Sequence, residues 1–300
     1  MTKTSNPPGI GWTKRRYGFS EIFIWIPRAY LVLLVLIAIF GTSVGGGWNG
    51  NIGKPYVSSS SSHWLGTDAL GRDEFARLAY GARISLGIGL SSLAICVIIG
   101  VGLGLAAAFG GKWVRGIIMR FTDVMFSFPD VLLAILLAGI LMAHSSSDTG
   151  LLGQLMDSGI LPVVVAISVT SWPSYCRLTY TQSLAIKELD FVEASRAMGA
   201  KRSYLAFRHV LPQIAPMIVA VGMVDLGGFI LAESAFSFLG IGIMPPVPSW
   251  GSMINTARDA MSSYPLWLLW PCLFLSVTII ALNFVGDDIR NRLDKRSSQK

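Results

Sequence analysis

Six apolar segments, at about 22–44, 84–110, 116–142, 160–179, 213–240 and 265–286, dominate this chain of 300 residues. A helix rises about 1.5 Å per residue, so roughly 20 residues cross a hydrocarbon core of about 30 Å. No polar stretch between the segments is long enough for a separate soluble core. The pattern therefore predicts an all-α, polytopic membrane protein with six transmembrane helices. Composition agrees: 52% of residues are hydrophobic and only 14% charged, against about a quarter charged in soluble domains.

The distribution of cations predicts the orientation. With the N-terminus inside, 19 of the 24 Lys and Arg fall on the inner side, and Lys54, Arg72, Arg77, Arg83 and Arg258 fall outside. The net charge of +7 thus describes topology, and membrane lipid rather than nucleic acid is the expected surface. The predicted layout is a cytoplasmic tail at 1–21, a first span at 22–44 and an extracytoplasmic loop at 45–83. A core domain with five further spans follows at 84–286, and a cytoplasmic tail at 287–300, with both termini inside. The run after Lys14-Arg15-Arg16 is long enough to span, so it reads as an uncleaved first span rather than a signal peptide. Arg28 is expected to snorkel to the headgroups. Cys96, Cys176 and Cys272 sit in or beside apolar runs and read as small buried hydrophobes. His63, His144 and His209 are scattered, so no metal site is expected.

One polar insert breaks the apolar pattern: VEASRAMGAKRSYLAFRHVLP, Val192 to Pro212. Asp190 and Glu193 have the spacing of a capping box for a short helix. Gly199 is placed to end that helix in a left-handed conformation. A second basic helical piece follows from about Lys201 to Val210, and Pro212 opens the next span. Two readings fit this bent elbow: a plug for a partner's groove, or a solvated helix with ordinary inner-side charges.

The stretch resembles the cytoplasmic coupling loop of ABC-importer permeases. Glu193-Ala194-Ser195, then Gly199, then His209-Val210-Leu211-Pro212 follow that family's spacing, with Ser195 in place of Ala and His209 in place of Ile. FRHVLP is similar to the form used by the dipeptide/oligopeptide/nickel branch. So are HWLGTDALGRDEFARLAYGARISL (63–86), MRFTDVMFSFPDVLLAI (119–135), AESAFSFLGIGIMPPVPSWGSMI (232–254) and ALNFVGDDIRNRLDKR (281–296). The resemblance covers roughly 63–296 and implies a type I importer permease fold. It implies a coupling loop at about 188–212, with Glu193, Ala194, Ser195, Gly199, Leu211 and Pro212 meeting the ATPase. The implied partners are a second homologous permease, two ATPase subunits (identical or paired) that bind ATP and Mg, and an extracytoplasmic solute-binding protein. The implied location is a bacterial or archaeal plasma membrane. Di- or oligopeptides, nickel chelates, glutathione, antimicrobial peptides and oligosaccharides are all carried within the branch.

No Gly-x4-Gly-Lys-Ser/Thr motif occurs, so ATP hydrolysis is expected in separate chains and no catalytic residue in this one. Gly100 and Gly104 permit close helix approach, either inside the bundle or between subunits. Asp225 and Glu233 lie eight residues apart in span five. They are candidates to line the solute path, since ionisable groups at membrane depth face the bundle interior or water. A structural hydrogen bond is the competing reading, for Glu233 above all. Asp123 and Asp130 carry the same ambiguity. Membrane carboxylates would also suit an ion-coupled secondary transporter, and the serines and histidines a membrane hydrolase. Nothing in their spacing specifies nucleophilic chemistry.

Overall fold

The computed structural model describes residues 18–41, 47–50, 53–143 and 150–297. Lys14-Arg15-Arg16, His144, Asp148 and the end of the first predicted span lie outside the described residues. The described chain is helical: α1 (Gly18–Phe40), α2 (Glu74–Phe109), α3 (Lys112–Phe126), α4 (Asp130–Ala143), α5 (Leu151–Asp157) and α6 (Ile160–Lys187) come first. Then follow α7 (Asp190–Ala197), the single turn α8 (Arg202–Tyr204), a π-helical turn at Leu205–Val210, α9 (Leu211–Phe238), α10 (Trp250–Arg258) and α11 (Pro265–Ser297).

Among the described residues, Glu74–Phe109, Arg202–Phe238 and Pro265–Leu293 are each long and apolar enough to cross a membrane. The pairs α3–α4 and α5–α6 are long and apolar enough only when each is taken together, bent by 89° and 78°. The third predicted span, 116–142, is thus built from two helices with a bend between Phe126 and Asp130. α3 ends at Phe126, and Pro129 has no N–H with which to continue it. At the second bend Gly159 has φ +79°, and a Cβ there would lie 2.3 Å from Gly242 O. Only glycine fits both demands. The segment expected as the outer loop, 45–83, includes the first ten residues of α2, which begins at Glu74. Asp73 is its cap: Ala76 N donates to Oδ1 at 2.8 Å, while Oδ2 meets His63 Nδ1 at 2.9 Å.

The bundle is built around α2 and α6. A Cβ on Gly100 would meet Tyr175 Cβ at 2.5 Å, and one on Gly104 would meet Thr179 Cβ at 2.6 Å. The glycine pair is thus used for packing inside the chain. Cys96 and Cys176 are buried at the same contact. A second core joins α1, α2, α9, α10 and α11 through Leu34, Leu78, Ile230, Trp250 and Leu282. Arg28 pairs with Asp288 of α11, which also accepts from Arg292 Nε at 2.9 Å. Ile98, Leu132, Leu136, Val219 and Phe284 project outward, a surface suited to lipid or an apolar partner.

Candidate coupling elbow and translocation cleft

The elbow starts differently from the sequence expectation. Leu189 occupies the N-cap, and no side chain caps the helix. Asp190 is the first helical residue, so the capping box with Glu193 does not form. A boundary shift of one residue turns the expected cap into two acidic residues in the first turn, where the helix dipole favours them. Glu193 and Ala194 are exposed, whereas Val192 and Ser195 are buried against the long helix. The far end forms as expected. Gly199 has φ +85°. Its N–H donates to Arg196 O at 3.0 Å, and Ala200 N donates to Ser195 O at 3.2 Å. This is a Schellman turn, which uses the last carbonyls of the helix and reverses the chain.

Pro212 stands in the first turn of α9, as the sequence reading expects, but it marks no break from the helix before it. Arg202–Phe238 is continuous, and the π-helical turn Leu205–Val210 precedes the proline. The wider turn relieves the clash of the proline ring with the carbonyl four residues back, which a regular helix would impose. Leu211 is half-buried and Pro212 exposed. Ser195 Oγ lies 3.4 Å from His209 Nε2, and the rings of Phe191 and Tyr204 flank that imidazole. The elbow therefore shares its buried side with the long helix as one body. Its outer side holds a cleft of about 720 Å³ lined by Met198, Gly199, Lys201, Tyr204 and Phe207. Met198 is 83% exposed and Phe207 64%. Exposed apolar side chains beside a basic rim suit a protein partner.

The two carboxylates of α9 lie in different surroundings. Asp225 lines a cleft of about 440 Å³ between α4, α6, α9 and α11, together with Asp130, Thr170, Ser171, Phe229 and Asn283. Tyr175 Oη donates to Asp225 Oδ2 at 2.7 Å and fixes the carboxylate against α6. Glu233 is fully buried and not among the cleft residues. Ser85 Oγ donates to its Oε2 and Ser237 Oγ to its Oε1, both at 2.8 Å. Ser237 Oγ in turn accepts from Ile243 N at 3.0 Å, and Trp250 N donates to Ser85 Oγ at 3.4 Å. Glu233 thus ties α2, α9, the 239–249 loop and α10 together. Asp123 pairs with Arg177, away from Asp225. Tyr175 and Ser85 were not singled out in the sequence. Their partners lie 50 and 148 residues away, and no local pattern marks such pairs.

Residues 98–299 match the family of binding-protein-dependent transport system inner membrane components, and the chain belongs to that family. It is 40% identical over 237 residues to the glutathione transport system permease protein GsiD of Pectobacterium atrosepticum, covering 79% of this chain and 74% of that one. The GsiD protein of Escherichia coli is 34% identical over 279 residues, covering 89% and 84%. The inward-facing MetNI methionine ABC transporter shares the fold, with TM-score 0.55 and 16% identity over 72% of this chain and 96% of that one. The protein is a multi-pass membrane permease of an ABC importer: a transport component, not an enzyme, whose ATPase is carried by other chains. Family membership sets aside the self-sufficient ion-coupled transporter and the hydrolase.

Proposed function

We propose that this chain is one of two permease subunits of an ATP-driven importer of peptides, with glutathione the foremost candidate. The relatives named above are glutathione permeases, and the cleft offers carboxylates suited to an α-amino group. On this reading there are six crossings with both termini inside: to the three long helices and the two bent pairs it adds α1, whose apolar stretch Trp25–Phe40 is by itself shorter than a span among the described residues. An extracytoplasmic binding protein delivers solute, and Asp225 meets it in the cleft. Two ATPase subunits hold ATP and Mg and grip the elbow through the cleft beside Met198 and Phe207. The observation that carries this reading is the Schellman turn at Gly199, which joins α7 to the unbroken helix bearing Asp225. A push on the elbow is delivered to that helix as a tilt, and a two-state tilt is alternating access.

The test is uptake by the complete complex in liposomes with its binding protein. Glutathione or a dipeptide should accumulate only with ATP inside and binding protein outside. Accumulation driven by an ion gradient without ATP would refute the proposal. The side assigned to each loop is checked by cysteine labelling in intact cells. A probe at Ser60 should react from outside and one at Ser203 should not.

A further inference from the structure

The cleft that holds Asp225 carries a second carboxylate, Asp130 of α4, and a bare patch of helix. Tyr175 Oη donates to Asp225 Oδ2 at 2.7 Å, and Val131 N donates to Asp130 Oδ1 at 2.8 Å. The other oxygen of each carboxylate has no protein partner among the described residues. None of the residues lining the cleft is Lys, Arg or His. A cleft lined by charge of one sign concentrates ions of the other sign. Its occupant is therefore expected to bring a cation. Ser171 and Asn283 also line the cleft and add neutral hydrogen-bonding groups but no charge.

The bare patch is Gly228. It stands three residues after Asp225, so the two share a face of α9. It is exposed and lines the cleft, and a Cβ built on it would meet nothing within 4 Å. Gly100 and Gly104 differ, since a Cβ on either would strike α6. No neighbour in this chain requires a glycine at 228, and glycine in a helix interior is less stable than alanine. Its use lies in the space it leaves beside the Asp225 carboxylate. Gly87, Gly102 and Gly116 are equally open, but none of them lines the cleft. We infer that Asp130, Asp225 and Gly228 form a subsite for the ammonium end of the solute, in which Gly228 sets how large a first side chain is admitted. The inference rests on the transport reading above and adds to it the orientation of the solute and the residue that limits its size. An ammonium has three N–H donors, enough to serve the free oxygen of each carboxylate. The first side chain of a peptide is carried by the same carbon as that ammonium, so it lies over position 228.

The experiment uses the complete complex in liposomes with its loaded binding protein outside and ATP inside. Initial uptake is measured for Phe-Gly, Gly-Phe and glutathione. The two dipeptides have the same atoms and carry the bulky side chain at opposite ends. Each variant is compared with wild type on the same solute, which cancels the preference of the binding protein. Gly228→Leu should cut uptake of Phe-Gly about tenfold, the effect of overfilling a packed site, and that of Gly-Phe much less. The loss should fall on the maximal rate and not on the amount of loaded binding protein needed for half-maximal uptake. Gly228→Ala should melt at or above the wild-type temperature and still show a smaller loss of the same sense, which a purely structural glycine would not. Asp130→Asn should lower uptake of every solute the wild type moves by about fivefold, and Asp130→Glu should restore most of it. Equal losses for the two dipeptides, or undiminished uptake in Asp130→Asn, would overturn the inference and leave the transport reading standing. So would loss of the second permease from the Gly228→Leu complex, which would assign the bare patch to the interface between subunits. A wild type that moves none of the three solutes would refute the transport reading itself, and the subsite with it.

Discussion

Asp225 and Glu233 share a helix and a charge, yet their surroundings give them opposite work. Asp225 spends one oxygen on Tyr175 and faces a cleft. Asp225→Asn keeps an acceptor for Tyr175 and removes the charge, so complex yield should hold. Uptake should fall about tenfold, the loss of one charge-assisted hydrogen bond of about 1.5 kcal/mol. Normal uptake at normal yield would remove Asp225 from the path. Glu233→Ala would leave the Ser85 and Ser237 hydroxyls without their acceptor in a closed interior. Leaving buried donors unsatisfied costs about 1–3 kcal/mol. Thermal unfolding of the detergent-solubilised complex should show that loss, and Glu233→Gln, which keeps one acceptor oxygen, a smaller one. Equal stability of the alanine variant and wild type would contradict the structural role. The sequence marked both residues as ionisable groups at membrane depth. It could not separate them, because the partners that do so come from distant parts of the chain.

At the scale of elements, helix identity was legible and helix ends were not. The apolar runs located every long helix, but lipid length bounds only the apolar part. Thus α2 extends ten residues before the predicted 84, and α6 eight beyond the predicted 179. Pro129 breaks a helix and Pro212 does not, although both lie in helical patterns. The difference is the π-helical turn before Pro212, a backbone adjustment with no signature in residue type. Gly199 was legible because a left-handed residue after a short helix has few alternatives to glycine. The capping box failed by a single residue, and that changes one expectation. Glu193 caps nothing, so Glu193→Ala should alter stability by less than about 0.5 kcal/mol, as an exposed substitution does. Any effect of this variant should appear in ATPase affinity, measured by titrating ATPase onto the purified permease pair. A clear drop in melting temperature with unchanged affinity would show that the side chain serves the fold instead.

For the whole molecule, the central claim is mechanical: the elbow converts nucleotide-driven motion into a tilt of the helix that carries Asp225. The two are joined by one unbroken stretch from Arg202 to Phe238 and one left-handed residue. A Cβ at Gly199 would meet nothing within 4 Å in this chain. The penalty for a side chain there is therefore backbone strain at φ +85° together with whatever the ATPase places against it. Gly199→Val is the direct test, because the variant alters neither the spans nor the cleft that holds Asp225. It should insert and assemble with its partner permease at wild-type yield. In liposomes, its ATPases should either dock poorly or hydrolyse ATP without accumulating solute, and solute-stimulated hydrolysis should be lost. Wild-type docking with wild-type solute-stimulated hydrolysis and uptake in Gly199→Val would contradict the elbow mechanism.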